Sequence, residues 1–283
     1  MKYFKNKSWL LFIILPASLI ILISCNQKPQ LSDGESESGK GYTYELVFED
    51  DFNNFDRSKW ITLHDNGNRT IWSNNEWEWY KDENVITENG ILKLVGKKES
   101  FYGKDVESEK QFEFTSGMIC NSKSYTQLYG KWEMKVKFPF REGYWPAFFL
   151  VPVERPTLPE LDVFEYFGVN EDKITCSHHW GKDYGLKPPD YNVRTKELTG
   201  NFSDQWMTWT FEHNPERMIW YLNGKKVYSS KQGMPTTPLY MIANLAIKGR
   251  PDYQNTDKII SDAAVLPPYE MEIDYVKIYK LVQ

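Results

Sequence analysis

The sequence has few cysteines, no cluster of basic residues and almost no segment with helical periodicity. Only three of its 283 residues are cysteine, which excludes the disulfide-dense frameworks of small secreted domains. The 34 lysines and arginines are outnumbered by 39 aspartates and glutamates, giving a formal net charge of -5. Because phosphate backbones are bound by clustered cations, we expect no nucleic-acid partner. The lack of helical periodicity disfavours helical folds.

Aromatic residues, in contrast, are abundant. They make up 16% of the chain and include 11 Trp and 18 Tyr, although all hydrophobic residues together reach only 41%. A chain of this length can bury a substantial core within one large domain. We therefore expect one folded domain, and a monomer.

The N-terminus has the pattern of a targeting signal. Three lysines within the first seven residues precede an apolar stretch from Trp9 to Ile23. As a helix this stretch is about 22 Å long, shorter than a hydrocarbon core of roughly 30 Å. Residues 1–24 are therefore predicted to be a signal peptide rather than a membrane span.

The end of that signal, "LISC", resembles a bacterial lipobox. The resemblance implies that Cys25 is lipidated and becomes the first mature residue, anchoring the protein to the bacterial cell envelope, at the outer membrane or cell surface. The alternative is an ordinary cleaved signal with an incidental thiol at Cys25. Residues 25–41 contain almost no large apolar side chain, which predicts a flexible tether. The folded domain is then 42–283, where an exported setting would allow Cys120 and Cys176 to pair.

From Tyr42 onward, apolar residues alternate with polar ones over short runs, for example "KWEMKVKF" at 131–138 and "MTWTFEHN" at 207–214. This period of two predicts half-buried strands. Turn signals separate the runs, and Asn223 and Gly224 suit a type I′ hairpin. The pattern predicts an all-β fold of two antiparallel sheets, a sandwich or jelly roll.

One predicted strand, "PELDVFEYFG" at 159–168, carries three acids at uneven spacing. In a regular strand Glu160 and Asp162 share one face, while Glu165 points to the other. Burying an unpaired carboxylate costs several kcal/mol, more than one local irregularity in a sheet. We therefore predict a β-bulge at Val163 or Phe164 that returns Glu165 to the face of the other acids.

Three carboxylates on one face are typical of several kinds of site. The backbones of Glu160 and Glu165 would lie about 13 Å apart, and their side chains could approach the roughly 5 to 5.5 Å between carboxyls of retaining glycosidases. The wider separation of inverting enzymes stays possible. Asp162 between them should raise the pKa of a neighbouring carboxyl and keep a proton in the cluster. The alternatives are a solvated acidic strand, charges that discourage edge pairing, or a calcium site.

Several segments together resemble glycoside hydrolase family 16, in the laminarinase and agarase branch with the E-x-D-x-x-E motif. They are "SNNEWEWY" at 73–80, "FTSGMICNSKSYTQLYGKWEMKVKFP" at 114–139, "WPAFF" followed by "ELDVFEYFG", "PLYMIANLAIKG" at 238–249 and "EIDYVKIY" at 272–279. The resemblance implies a β-jelly roll with a concave cleft and a retaining endo-hydrolase of a β-linked polysaccharide. It also implies Glu160 as nucleophile, Glu165 as acid/base and Asp162 as the residue assisting the nucleophile.

The substrate class implied by the resemblance is a β-1,3-glucan or mixed-linkage glucan, and no cofactor is required for catalysis. A structural calcium is expected on the face away from the cleft, with Asp274 contributing. The candidate substrate-binding residues are aromatic platforms and polar neighbours: Trp72, Asn75, Glu76, Trp145, Phe149, His179 and Trp180.

Two features of the sequence bear on these candidates. His178 and His179 face opposite ways on a strand, so at most one is expected to meet substrate, and no third ligand at suitable spacing supports a zinc site. Phe149 and Met118 stand where related laminarinases often have tryptophan and arginine, which leaves the sugar open.

Three alternatives remain at this stage. The substrate could be a β-galactan such as agarose, porphyran, carrageenan or a mucin-type glycan, with Lys248 and Arg250 contacting sulfate. A transglycosylase would use the same covalent chemistry. A glycan-binding lipoprotein would bind without cutting, although pure binding has no need of three mutually repelling carboxylates.

Overall fold

The computed structural model describes residues 41–107, 109–154, 158–168, 170–184, 186–247, 259, 261 and 266–283. The predicted signal peptide and the tether before Gly41, including Cys25, lie outside these residues, as do Lys248 and Arg250. Predictions about them stay predictions. The folded unit spans Gly39–Gln283. Within the described residues, no helix has the length and apolar character needed to cross a membrane.

Short strands dominate the described residues, with two 3-10 turns at Trp72–Asn74 and Asp82–Asn84. The strands, numbered in chain order, are β1 Tyr44–Asp50, β2 Glu78–Tyr80, β3 Val85–Glu88, β4 Ile91–Lys104, β5 Glu109–Ser116, β6 Met118–Cys120, β7 Gly130–Lys137, β8 Tyr144–Pro152, β9 Glu160–Glu165, β10 Lys173–Gly181, β11 Tyr191–Thr199, β12 Met207–Asn214, β13 Arg217–Leu222, β14 Lys225–Ser230, β15 Leu239–Ile247 and β16 Tyr269–Leu281.

These strands form two sheets. The larger has the order β14-β13-β12-β7-β16-β4-β5-β2, with β1 also paired to β16 and β3 to β4. The smaller has the order β11-β10-β9-β8-β15-β6. The predicted all-β architecture of two sheets is confirmed. Pairing is antiparallel throughout the described residues except between β2 and β5, which run parallel.

The main core fills the space between the sheets. Alternation places Trp132, Met134 and Val136 of β7 inward with no exposed surface, while the residues between them are half-buried. Phe164 of the smaller sheet packs 5.5 Å from Trp209 of the larger one, measured between ring centroids. The period-two pattern of the sequence is therefore the pattern of burial in the sandwich.

The outer face of the smaller sheet carries a second buried cluster. It contains Ala147, Phe149 and Val151 of β8 with Tyr240 and Ile242 of β15, and it is joined by residues that precede β3. Both faces of β8 are therefore largely buried, and its sequence reads as a nearly continuous apolar run. The outward-facing residues of this sheet form the floor on which the candidate site is built.

Two local predictions are tested by the fold. Asn223 and Gly224 have φ angles of 51° and 76° and join β13 to β14, so the predicted type I′ turn is confirmed. Cys120 and Cys176 are both buried and both free, so the pairing that an exported setting would allow is not formed.

Candidate functional site

The three acids of β9 lie on one face of the sheet because the strand is bulged. On β10, Glu165, Asp162 and Glu160 stand opposite residues 175, 177 and 179, which are alternate positions and share a face. On β8, Phe164 pairs with Phe148 and Asp162 pairs with Phe149, so Val163 is the extra residue. The predicted bulge is confirmed.

The other side of β9 belongs to the core. Leu161, Val163 and Phe164 have no exposed surface, whereas Glu160 and Glu165 are half-buried. Val163 and Phe164, the two residues of the bulge, therefore pack in the core, and neither glutamate is buried there. We call the surface formed by Glu160, Asp162 and Glu165 the acidic face.

Asp162 is the most enclosed of the three acids, at 3% exposure. Its Oδ2 lies 3.1 Å from Nε2 of His179. His179 is held from its other side, because its Nδ1 lies 2.6 Å from the hydroxyl of Tyr191 on β11. The ring of Tyr191 also stacks on that of His179. The imidazole is thus fixed between a phenol and a carboxylate.

Glu160 has a different partner. The hydroxyl of Tyr184, in the connection between β10 and β11, donates a hydrogen bond of 2.7 Å to Oε2 of Glu160. The Tyr184 ring lies 6.4 Å from His179 and 5.9 Å from Tyr191, between centroids. Three rings therefore form a wall along one side of the acidic face, and we call Tyr184, Tyr191 and His179 the aromatic wall.

The electrostatics of the wall reflect the acids beside it. Burial raises the pKa of Tyr191, and the negative charges of Glu160, Asp162 and Glu165 raise it further. A phenol flanked by carboxylates keeps its proton, because ionising it would add a fourth negative charge. Tyr191 therefore remains a hydrogen-bonding group over the working pH range. The proton expected to be shared among the acids stays a prediction.

Trp145 and Phe149 of β8 flank the acids on the side opposite the wall. Phe149 pairs with Asp162 and is 8% exposed. Trp145 is half-buried, and its ring lies 4.8 Å from that of Phe167, two residues beyond Glu165. Its Nε1 is buried without a hydrogen-bond partner among the described residues. Both candidates are brought to the acidic face.

The segment 71–80 approaches the same sheet. Trp72 is 40% exposed, and Nζ of Lys110 lies 3.7 Å from the centre of its ring, so a cation covers one ring face. Asn75 is exposed and ends the 3-10 turn in a left-handed conformation, with φ of 56°. Tyr80 connects this segment to the floor, because its hydroxyl accepts a hydrogen bond from Asn244 of β15.

Glu76 is placed differently from the expectation. It is only 2% exposed, and its Oε2 accepts a hydrogen bond of 3.0 Å from the backbone N–H of Ile71, while Asn74 donates to its Oε1. Burial raises the pKa of Glu76 and of its buried neighbour Glu78, and the charge of Glu76 raises that of Glu78 further. Glu76 therefore holds the turn that carries Trp72 and does not line an open surface.

Trp180 also departs from the expectation. It stacks on His178, with ring centroids 4.5 Å apart, and both side chains lie on the face of β10 opposite His179. His178 is fully buried, and its ring nitrogens lie near the carbonyl of Gln232 and the hydroxyl of Tyr228. The prediction that the two histidines face opposite ways is confirmed, whereas contact of His179 with substrate stays a prediction. The grouping of Trp180 with His179 was wrong because adjacent strand residues alternate.

The residues around Asp274 do not fit a calcium ion. Oδ2 of Asp274 lies 2.6 Å from Nζ of Lys135, so an ammonium already neutralises this carboxylate. Among the described residues, no group of three or more histidines, cysteines, aspartates or glutamates could hold a metal ion. The expected calcium ligand is instead one half of an ion pair.

Sequence reasoning missed several residues of the site. Tyr184 lies in an irregular connection, where no periodicity assigns a direction to its side chain. Tyr191 begins β11, whose outward residues are mixed in character. Lys110 follows no motif. Phe167 lies two residues after Glu165 in the acidic segment, and this position was the signal available for it, whereas nothing in the sequence links Tyr184 to the acids.

Comparison with known proteins identifies related chains. A family model described as "Glycosyl hydrolases family 16" matches residues 71–276. An endo-1,3-1,4-beta-glycanase, ExsH, of Rhizobium meliloti (strain 1021) is 28% identical over 79% of this chain and 45% of its own. The chain therefore spans less than half the length of that relative. A beta-glucanase of Rhodothermus marinus is 24% identical over 94% of this chain and 93% of its own.

A solved structure of a similar protein has the same fold as this chain. The laminarinase catalytic domain of Thermotoga maritima MSB8 superimposes with a TM-score of 0.68 at 25% identity. The match covers 85% of this chain and 99% of that domain. The sandwich described above is thus shared with a laminarinase catalytic domain.

Proposed function

Because the chain belongs to glycosyl hydrolases family 16, we propose that it cleaves internal bonds of a β-linked polysaccharide with retention of anomeric configuration. The proposed substrate is a β-1,3-glucan or a mixed-linkage β-glucan, and the names of the related glycanase and beta-glucanase support this choice. The observation that carries the proposal is the bulge of β9, which turns Glu160, Asp162 and Glu165 to one face.

In the first step, one carboxylate oxygen of Glu160 attacks the anomeric carbon of the sugar. The bond from that carbon to the bridging oxygen breaks, and Glu165 donates its proton to the departing oxygen. Glu160 is then esterified to the sugar, and Glu165 is ionised. Asp162, held by His179, keeps negative charge close to the anomeric centre while positive charge develops on the sugar.

In the second step, Glu165 takes a proton from a water molecule as the water oxygen attacks the same carbon. The ester bond to Glu160 breaks, and the nucleophile returns as a carboxylate. Two inversions give net retention. Trp145 offers an apolar ring for the CH face of a sugar.

The first experiment replaces each glutamate by its amide. Glu160→Gln and Glu165→Gln each remove one required ionisable group, and we expect laminarin hydrolysis to fall by at least 10³-fold, in the range for loss of essential nucleophilic and acid–base groups. Glu113→Gln, which alters an exposed glutamate on β5, is the matched control and should retain full activity. Near-normal turnover in either active-site amide variant would refute the assignment.

A second experiment separates the two roles. With an activated aryl glycoside, whose leaving group needs no proton, and added azide, Glu160→Gly should yield the α-glycosyl azide and Glu165→Ala the β-glycosyl azide. The first product arises by direct displacement and the second by displacement from the covalent intermediate. The reverse pairing of products would exchange the roles, and no azide product from either would remove the covalent mechanism.

The substrate is tested on laminarin, lichenan, agarose, porphyran, carrageenan and mucin glycans, with product profiling of each. Internal cleavage of laminarin or lichenan is expected. Cleavage of a galactan or mucin glycan alone would replace the glucan with that substrate. Elongated oligosaccharides would identify a transglycosylase, and binding of a polymer without products would identify a glycan-binding protein.

We also propose that residues 1–24 are removed as a signal peptide and that Cys25 carries the lipid, with residues 25–41 as a tether to a bacterial envelope. A surface tether suits a polymer too large to import. Globomycin should block processing of the full-length chain, and Cys25→Ala should release the protein from membranes. Unchanged processing under globomycin would contradict the lipoprotein assignment.

A further inference from the structure

The connection between β10 and β11 delivers a phenol to the proposed nucleophile. Its two ends are closed by the backbone N–H of Lys182, which donates to the carbonyl of Asp190 over 2.7 Å, and by an ion pair of 2.7 Å between their side chains. Gly181, with φ of +137°, admits this closure, because a Cβ there would lie 2.3 Å from the Asp190 carbonyl oxygen. Tyr184 is therefore presented from a closed loop base.

The contact that Tyr184 makes is specific. Its hydroxyl donates to Oε2 of Glu160 at 2.7 Å, a length typical of a hydrogen bond to a charged acceptor. Tyr184 is 39% exposed, so little core packing accounts for its position. Both features point to a role at the acidic face rather than in the stability of the sandwich.

We propose that Tyr184 is a positioning residue for the nucleophile: its phenol holds one oxygen of Glu160 and leaves the other oxygen to attack the anomeric carbon. This inference rests on the proposed function, because it takes Glu160 as the nucleophile. In the covalent intermediate the held oxygen becomes an ester carbonyl, which still accepts a hydrogen bond. The phenol therefore keeps the side chain of Glu160 in one orientation while its other oxygen bonds to the sugar and is later released.

The test compares Tyr184→Phe with Tyr102→Phe on the full chain. Tyr102 is the matched control, since its hydroxyl donates a hydrogen bond of 2.9 Å to Glu109 on the exposed β4–β5 hairpin. The kcat and KM of each variant are measured on the glucan that the wild type cleaves. For Tyr184→Phe we expect kcat to fall about tenfold, from loss of one charge-assisted hydrogen bond that orients the nucleophile. KM should change less than kcat.

Three outcomes would overturn the proposal. They are a kcat of Tyr184→Phe equal to that of the wild type, a rise in KM larger than the fall in kcat, and equal effects in Tyr184→Phe and Tyr102→Phe. Melting temperature is recorded for all variants, and a loss of activity matched by a loss of folded protein also counts against positioning. Glu160→Gln is run in parallel: if it stays active, the proposed function has failed, and if it is inactive while Tyr184→Phe is normal, only the present inference has failed.

Discussion

The bulge of β9 leads to a sharp prediction about deleting Val163. On β10 the partners of Glu160 and Glu165 are His179 and Thr175, four positions apart, whereas five positions separate the two glutamates. Deleting Val163 places Glu160 and Glu165 four positions apart, which equals the separation of their partners on β10. Strict alternation then keeps both glutamates on the acidic face, opposite the same partners as before.

The expected cost of the deletion follows from burial. Val163 has no exposed surface, and losing a fully buried side chain of this size destabilises by about 1.5 to 3 kcal/mol. Ordering one residue fewer offsets about 1 kcal/mol of this loss. A net change of about 0.5 to 2 kcal/mol is small against the stability of a typical domain, roughly 5 to 15 kcal/mol, so the variant should fold.

The assay is urea unfolding together with laminarin hydrolysis. We expect the Val163 deletion to unfold at a lower urea concentration and to keep measurable turnover, well above that of Glu165→Gln. The control keeps the strand at full length and moves the carboxylate by one position. It combines Phe164→Glu with Glu165→Gln, which places a carboxylate at a fully buried position. That variant should lose several kcal/mol of stability and all activity.

The reasoning is refuted if the deletion variant folds cooperatively but is as inactive as Glu165→Gln. Such a result would mean that the bulge sets more than the facing of the acids. It would also leave the family relationship untouched, because that relationship depends on residues 71–276 as a whole.

Three other predictions concern stability and binding. Burial lowers the pKa of His178 and of His213 to about 4 from an ordinary value of 6.5. Between these pH values the unfolded chain therefore binds more protons than the folded protein. Each histidine should remove up to about 3 kcal/mol of the free energy of unfolding as the pH falls from 6.5 to 4, which urea titration can measure. The raised pKa values of Glu76 and Glu78 make the folded protein less stable as the pH rises, since it retains protons that the unfolded chain releases. Glu78→Gln should therefore reduce the loss of melting temperature between pH 5 and pH 8. A loss equal to that of the wild type would contradict this. Trp145→Phe keeps a ring but offers a smaller apolar face to the sugar, so KM for the glucan should rise about fivefold, with the melting temperature as control.

Much of this arrangement could be predicted from the sequence. Alternating apolar residues predicted the two sheets, and the Asn223-Gly224 pair predicted its turn, because both effects are local and repeat along the chain. The bulge was predictable because leaving Glu165 in the core would cost far more than one irregular pairing. The facing of His179 followed from the same alternation.

The remaining parts depend on contacts between distant segments. Glu76 looked like a cleft residue, but it is buried because three groups of its own segment and the floor surround it. Trp180 was assigned to the acidic face without regard to the alternation that places it on His178. Asp274 is neutralised by Lys135, 139 positions away, and no local pattern reports such a pairing. Tyr184 lies in a connection whose course only the folded backbone defines.

The indole of Trp220 links the two sheets at the acidic strand, since its Nε1 donates a hydrogen bond of 2.9 Å to the backbone carbonyl of Asp162. Asp162 thus places its carboxylate on the acidic face and bonds the interior of the molecule through its backbone. Local opening of β9 would also have to open the core between the sheets. Amide hydrogen exchange around Asp162 should therefore proceed only through global unfolding. Substitutions in the surrounding loops can then change the substrate preference without changing the spacing of the three acids.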